Sequence, residues 1–388
     1  MPLLRHSSAV LAAFALTSFS WLASAHAEPP PKKLAFYYGF PSAVNGAAGD
    51  VAKAASVFAD YDVVVFGAAL EFPQYIGAPG QQPDFGCDQN SHYDHEKTLE
   101  IIQQLQPPHG KTRVFGYVSV GGENTYRTCV PNGPPVPLTL DEMRAAIDGW
   151  SAMGVTGVFF DEAEYGFGST REVQNQMSDY AHGRGMRVFI NGFIPHDVFS
   201  DQRLDRVTYS GGYHAGKLSS APMNPNGTPA RLGPEDIYLL EHYQVINGNY
   251  ADTNIWVQRA DAAAHYRTRY GTQIATVTTQ ADPFPAPAQC AGLWDQTKYD
   301  YAWWSTFLYG FEYVSWGEPS GFSAWGTCVN TLLPHAGPVL PDVGTFTSPV
   351  IHPMGAGSTV HARRTTLGTI EVNTGLHMGR FTPDTAWR

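Results

Sequence analysis

The chain has 388 residues, 43% of them apolar and only 15% charged, a globular composition long enough for one large domain with insertions. Its formal net charge is −11 with no basic patch, which argues against nucleic acid or an anionic membrane as a partner. A cationic polymer would instead be drawn to it. The 20 Tyr and 9 Trp supply flat rings that serve either as core or as stacking faces for sugar rings.

In chain order, Arg5 and His6 precede an apolar run from Val10 to Leu22, and Ala25-His26-Ala27 follows as a small-x-small site. Residues 1–27 are therefore expected to be a secretory signal peptide cleaved near Ala27, with a secreted or periplasmic product. The run is too short and too rich in Ser for a span of roughly 20 apolar residues, and no later stretch resembles one. The expectation is a soluble monomer, with a catalytic barrel over 28–334 and an extension over 335–388 packed on it. The four cysteines suit an oxidising compartment. Their order pairs Cys87 with Cys129 and Cys290 with Cys328, out of three possible connectivities.

Short apolar runs alternate with helical patterns, which points to a parallel sheet. Eight strands are predicted, at 34–38, 62–66, 113–118, 157–161, 187–191, 237–241, 273–278 and 313–316. Several are solidly apolar, such as Val63-Val64-Val65-Phe66, as a sheet covered on both faces requires. Helices are predicted over 92–105, 140–153, 170–183, 253–270 and 299–310. Thr139 with Glu142 reads as a capping box, and Gly154 and Gly185 sit just past helix ends, where positive φ is wanted. The sum is an α/β fold, a (β/α)8 TIM barrel with rim insertions and a short β-like C-terminal extension. The competing open doubly wound sheet would bring a glycine-rich phosphate loop after its first strand, and Gly39-Phe40-Pro41 is unlike one. A Gly-, Pro-, Asn- and Ser-rich stretch over 210–234 is expected to be a long loop, and 369–373 a β-like piece of the tail.

In such a barrel, chemistry sits at the carboxyl ends of the strands. The fourth strand runs Gly157-Val158-Phe159-Phe160 into Asp161-Glu162-Ala163-Glu164, and the sixth runs Tyr238-Leu239-Leu240 into Glu241-His242-Tyr243. Glycoside cleavage needs one ionised carboxylate as nucleophile or base and one protonated carboxyl as acid. Asp161 and Glu241 are assigned those roles. Glu162 is the third catalytic candidate, orienting the sugar or, in a variant where the substrate's acetamido group attacks and Asp161 steers it, serving as the acid. Tyr38, Tyr117, Asn191, Tyr243, Trp316 and Glu318 are the candidates to bind the sugar. Glu123 and Glu164 are open between a site role and a rim carboxylate. His92, His95 and Glu96 read as the start of a surface helix, and neither a metal ion nor a cofactor is called for. No Gly-x-Ser-x-Gly elbow ends a strand, which argues against serine hydrolysis.

Four pieces carry a family resemblance: Phe36-Tyr37-Tyr38-Gly39 with Tyr61-Asp62-Val63-Val64-Val65, Gly116-Tyr117-Val118-Ser119-Val120-Gly121, Gly157-Val158-Phe159-Phe160-Asp161-Glu162, and Glu241-His242-Tyr243. Together they resemble the spherulin-4-like glycoside hydrolases and the related endo-α-1,4-polygalactosaminidases. The resemblance implies a (β/α)8 barrel that hydrolyses galactosamine-containing polysaccharide. It also implies that Asp161 and Glu162 are the acidic pair of the fourth strand and Glu241 the acid of a later one. The 210–234 loop, the cysteines and the tail depart from the pattern. A non-hydrolytic carbohydrate-binding barrel and a metal-dependent phosphodiesterase barrel are the rival functions.

Overall fold

The computed structural model describes residues 28–67, 70–73, 94–122, 137–210, 215–279, 295–317, 332, 336–354 and 358–384. The expected signal segment, all four cysteines, His92, Glu123 and Glu318 lie outside the described residues. Among the described residues no helix is long and apolar enough to cross a membrane.

Eight parallel strands close into a barrel. They are β1 (Lys32–Tyr37), β2 (Val63–Phe66), β3 (Arg113–Ser119), β4 (Gly157–Asp161), β5 (Arg187–Asn191), β6 (Ile237–Leu240), β9 (Gln273–Thr278) and β10 (Tyr313–Trp316). Closure comes from β1, which pairs with β2 on one side and β10 on the other. Between β6 and β9 lies a two-residue hairpin, β7 (Val245–Ile246) and β8 (Asn249–Tyr250), turned by Asn247-Gly248 with both φ positive, at 48° and 76°. Asn-Gly is the pair that such a mirror-image turn favours. Outside the strands run α1 (Val51–Phe58), α2 (His95–Leu105), α3 (Leu140–Ala152), α4 (Arg171–Gly183), the short α5 (Pro195–Phe199), α6 (Thr253–Tyr270) and α7 (Gln296–Tyr309).

Alternation along each strand separates two cores. Phe36, Phe115, Phe159 and Phe189 point inward and meet edge-on or tilted, with Phe159 and Phe189 5.1 Å apart. Their neighbours, such as Tyr37, Val158 and Leu240, point outward and pack under the helices. Gly116 on β3 is required by that packing: a Cβ there would lie 2.0 Å from the Trp150 ring of α3, which lies against the strand. The α3 capping box forms, with Thr139 N–H donating to Glu142 Oε2 at 2.7 Å and Glu142 N–H to Thr139 Oγ1 at 3.3 Å. Gly154 and Gly185 hold φ of 76° and 74°.

The stretch after α5 replaces a regular helix with irregular chain beside α4. It is pinned by the buried Asn224, whose amide donates to the carbonyls of Ser200, Gln202 and Thr228. After β10, the tail forms a three-stranded antiparallel sheet of β11 (Val360–Arg364), β12 (Gly368–Asn373) and β13 (Met378–Pro383). Ile370 and Val372 join the outer core, and Gly379 presses on Trp304 of α7.

Candidate active site

The inward parity that carries Phe159, Phe189 and Leu239 into the interior carries Asp161, Asn191 and Glu241 into its uppermost layer. Asp161 and Asn191 end β4 and β5 and Glu241 directly follows the neighbouring β6, so the polar groups stand side by side. Asn191 is the middle one. Its side-chain amide donates to Asp161 Oδ1 at 2.8 Å and to Glu241 Oε2 at 2.7 Å. Two oxygens bound to one nitrogen are no farther apart than the two bonds end to end, about 5.5 Å, which places the two carboxyl groups on one hollow.

The two carboxyl groups live in different environments. Burial raises the Asp161 pKa, but three donors oppose it: the Asn191 amide, the Glu162 N–H at 2.9 Å and the Tyr117 hydroxyl. Each favours the ionised form. Glu241 is pushed up to about 8, by burial first and by the Asp161 charge second, opposed by the Asn191 amide and the Arg259 charge. Two buried carboxyl groups this close do not both ionise easily, and burial raises the pKa of each. His242 Nε2 lies 3.3 Å from Glu241 Oε1.

Glu162 and His242, the residues directly after the two carboxyl groups, both hold left-handed backbone, with φ of 59° and 51°. Side chains next to each other on a strand face opposite ways. The left-handed step breaks that alternation and turns both back toward the site. Glu162 Oε2 accepts from Ser119 Oγ at 3.0 Å, and Gly121 leaves the room, since a Cβ there would lie 2.6 Å from that oxygen.

These groups line a hollow of about 230 Å³, bounded by Asp161, Glu162, Glu164, Asn191, Glu241 and the rings of Phe167 and Phe193. The Phe167 and Phe193 ring centroids are 5.9 Å apart, and Phe193 and His242 are 4.8 Å apart, which makes a continuous aromatic face beside the acids. Phe167, Phe193 and the Arg259 behind them escape a reading of strand ends because they stand on loops and a helix. Glu164 lines the hollow and also accepts from Ile194 N–H at 3.1 Å and Ser210 Oγ at 3.3 Å, so the irregular chain after α5 reaches the site. Burial raises its pKa. Asp197 behind it is pushed up to about 7 by burial and by the Glu164 charge.

Of the residues expected to orient a sugar, Asn191 and Tyr117 reach the acids directly. Tyr38 stands behind Tyr117, ring against ring at 5.3 Å. Tyr243 and Trp316 do not join them. Trp316 shares the outward parity of Val314 and is buried against Tyr299 of α7, at 6.0 Å. Tyr243 is buried with its hydroxyl donating to Ser305 O at 3.0 Å. Both are core aromatics under α7, which corrects their assignment as sugar contacts. His95 starts α2, its ring 2.7 Å from Leu70 O, as a surface helix start would have it.

No protein-family model matches the chain, and no curated protein matches it in sequence. Among solved structures, two forms of the glycoside hydrolase domain of PelA from Pseudomonas aeruginosa are 12% identical, covering 78% of this chain and 97% of theirs, with TM-scores of 0.39 and 0.37. A type I 3-dehydroquinate dehydratase from Clostridium difficile is 11% identical over 76% of this chain and 88% of its own, with a TM-score of 0.36. Likeness at this level adds nothing to the barrel topology, and the motif resemblance stands without a sequence-level family match.

Proposed function

We propose that this chain is a glycoside hydrolase that cuts an amino-sugar polysaccharide, with Asp161 ionised as nucleophile or base and Glu241 protonated as general acid. One observation carries the reading: a single Asn191 amide joins two buried carboxyl groups, Asp161 held by further donors from Glu162 N–H and Tyr117 and Glu241 raised by burial and by the Asp161 charge. That is the arrangement glycosidic cleavage requires, one group to attack and one to protonate the leaving oxygen. Their closeness favours a retaining, double-displacement course.

The Phe167–Phe193 face offers a stacking surface for a pyranose ring. Glu162, Tyr117 and Tyr38 orient the sugar. Four carboxyl-bearing residues around one hollow, in a chain of net charge −11, favour a substrate with amino groups. With the motif resemblance, this supports a galactosamine- or N-acetylgalactosamine-containing polymer, cut internally by a secreted monomer without a cofactor. The left-handed turn at Glu162 supports a second scheme, in which the substrate's own acetamido group attacks, Asp161 steers it and Glu162 is the acid.

The test is incubation of the purified chain with galactosamine- and glucosamine-containing polymers, scored by new reducing ends with and without chelator. Release that survives the chelator is the expected outcome. Binding without new ends would make the chain a carbohydrate-binding barrel. Release abolished by chelator would favour metal-dependent chemistry. The anomer of the first product, read by NMR, is expected to be the retained one.

A further inference from the structure

Arg259 projects from α6 into the gap between the chain leaving β5 and the chain leaving β6. Its described hydrogen bonds all go to main-chain carbonyls: Nε donates to Phe193 O at 2.7 Å, Nη1 to His242 O at 2.8 Å, and Nη2 to Glu241 O. The rigid guanidinium fork suits such multiple bonding, and a lysine ammonium cannot reproduce it. Burying a charge against neutral carbonyls is costly unless nearby charge compensates. Burial lowers the Arg259 pKa, and the Tyr238 hydroxyl and the carboxyl groups of Glu241 and Glu164 are the groups that oppose this. The carbonyls of Glu241 and His242 flank the left-handed residue His242, a backbone conformation that a side-chain-bearing residue rarely holds. Phe193, whose carbonyl takes the third bond, supplies the middle ring of the aromatic face.

We infer that Arg259 is a positioning residue of this site: it ties the two loops together, holds the turn at His242, and so fixes the Glu241 carboxyl within reach of Asn191. The inference rests on the reading of Glu241 as the acid. Arg259 also acts on Glu241 through space, since a buried positive charge favours the carboxylate. The other titratable groups facing Glu241 among the described residues include Asp161 from β4, Glu164 from the chain after it, Tyr238 from β6 and His242 from its own turn.

The test compares Arg259→Met, which removes fork and charge, with Arg259→Lys, which keeps the charge alone. Carbon-13 carboxyl titration of the full chain without substrate follows Glu241, its resonance identified with Glu241→Gln. Arg259→Met is expected to raise the Glu241 midpoint by about one unit, and Arg259→Lys to leave it near wild type. A wild-type midpoint in Arg259→Met would overturn the electrostatic part. Because no substrate is present, this result is independent of whether the chain is a hydrolase. On a galactosamine polymer, Arg259→Lys is expected to lose at least about ten-fold in kcat with a smaller change in KM and an unmoved alkaline limb. Wild-type turnover in Arg259→Lys would overturn the positioning role even if Arg259→Met does not fold.

Discussion

Replacing Glu241 with Gln should change stability in a way that depends steeply on pH. The carboxyl ordinarily titrates at 4.5 and is pushed up to about 8 in the fold, by burial first and the Asp161 charge second. Between those values the folded chain keeps a proton that the unfolded chain has released. The stability associated with the protonated carboxyl is fully present below about 4.5 and is lost as pH rises through about 8. At about 1.4 kcal/mol per unit, the gap corresponds to an upper bound of about 5 kcal/mol, reduced by any relaxation that lets water reach the ionised group. Glutamine carries no such linkage, and its amide keeps an oxygen to accept from Asn191. Relative to wild type, Glu241→Gln should gain stability as pH rises from about 4.5 to about 8 and level off above that. Denaturant melts of both chains at stepped pH measure this. Parallel stability curves would refute the reasoning, because they would mean Glu241 titrates alike in the folded and unfolded chains.

Asn191→Ala removes a donor that both acids share, so both carboxyl pKa values should rise and the alkaline limb of the activity profile should move up. The same substitution should cost about 1–3 kcal/mol in a denaturant melt. Tyr243→Phe removes the hydroxyl that donates to Ser305 O and faces the Trp256 indole, and is expected to lose about 1 kcal/mol of stability with cleavage unchanged. A large fall in KM-dependent activity in that variant would restore Tyr243 as a sugar contact.

The barrel was legible because its strands are buried on both faces. Runs such as Val63–Phe66 and Gly157–Asp161 have no polar interruption until the chain reaches the barrel mouth, where the polarity itself marks the functional layer. A cap marked α3 for the same local reason: Thr139 Oγ1 accepts from the first-turn N–H of Glu142. Asp252 caps α6 in the same way, although the sequence reading did not use it. The helix α1 went unread although Asp50 caps it and Val51, Ala54, Ala55 and Phe58 recur at helical spacing, because it is only eight residues long and follows a run of Gly and Ala. The five-residue α5 is too short to show a period.

The site was legible in part. Asp161, Asn191 and Glu241 are strand-end residues whose parity with Phe159, Phe189 and Leu239 aims them inward. Parity also argues against Trp316: β10 presents Tyr313 inward, and Trp316 falls on the opposite face with Val314. Beyond a strand end, parity stops. Left-handed steps at Glu162 and His242 reset direction, so neither the inward turn of Glu162 nor the burial of Tyr243 follows from spacing. Phe167, Phe193 and Arg259 enter from loops and α6, brought together by the barrel's closure and not by any local pattern.

The most direct measurement is single-turnover release of reducing ends by Asp161→Asn and Glu241→Gln, on whichever amino-sugar polymer the wild-type chain cleaves. The account predicts that each substitution slows release by about 10²–10⁴-fold while the folded chain still binds the polymer. Wild-type rates in both variants would mean that the paired acids under Asn191 are not the working groups.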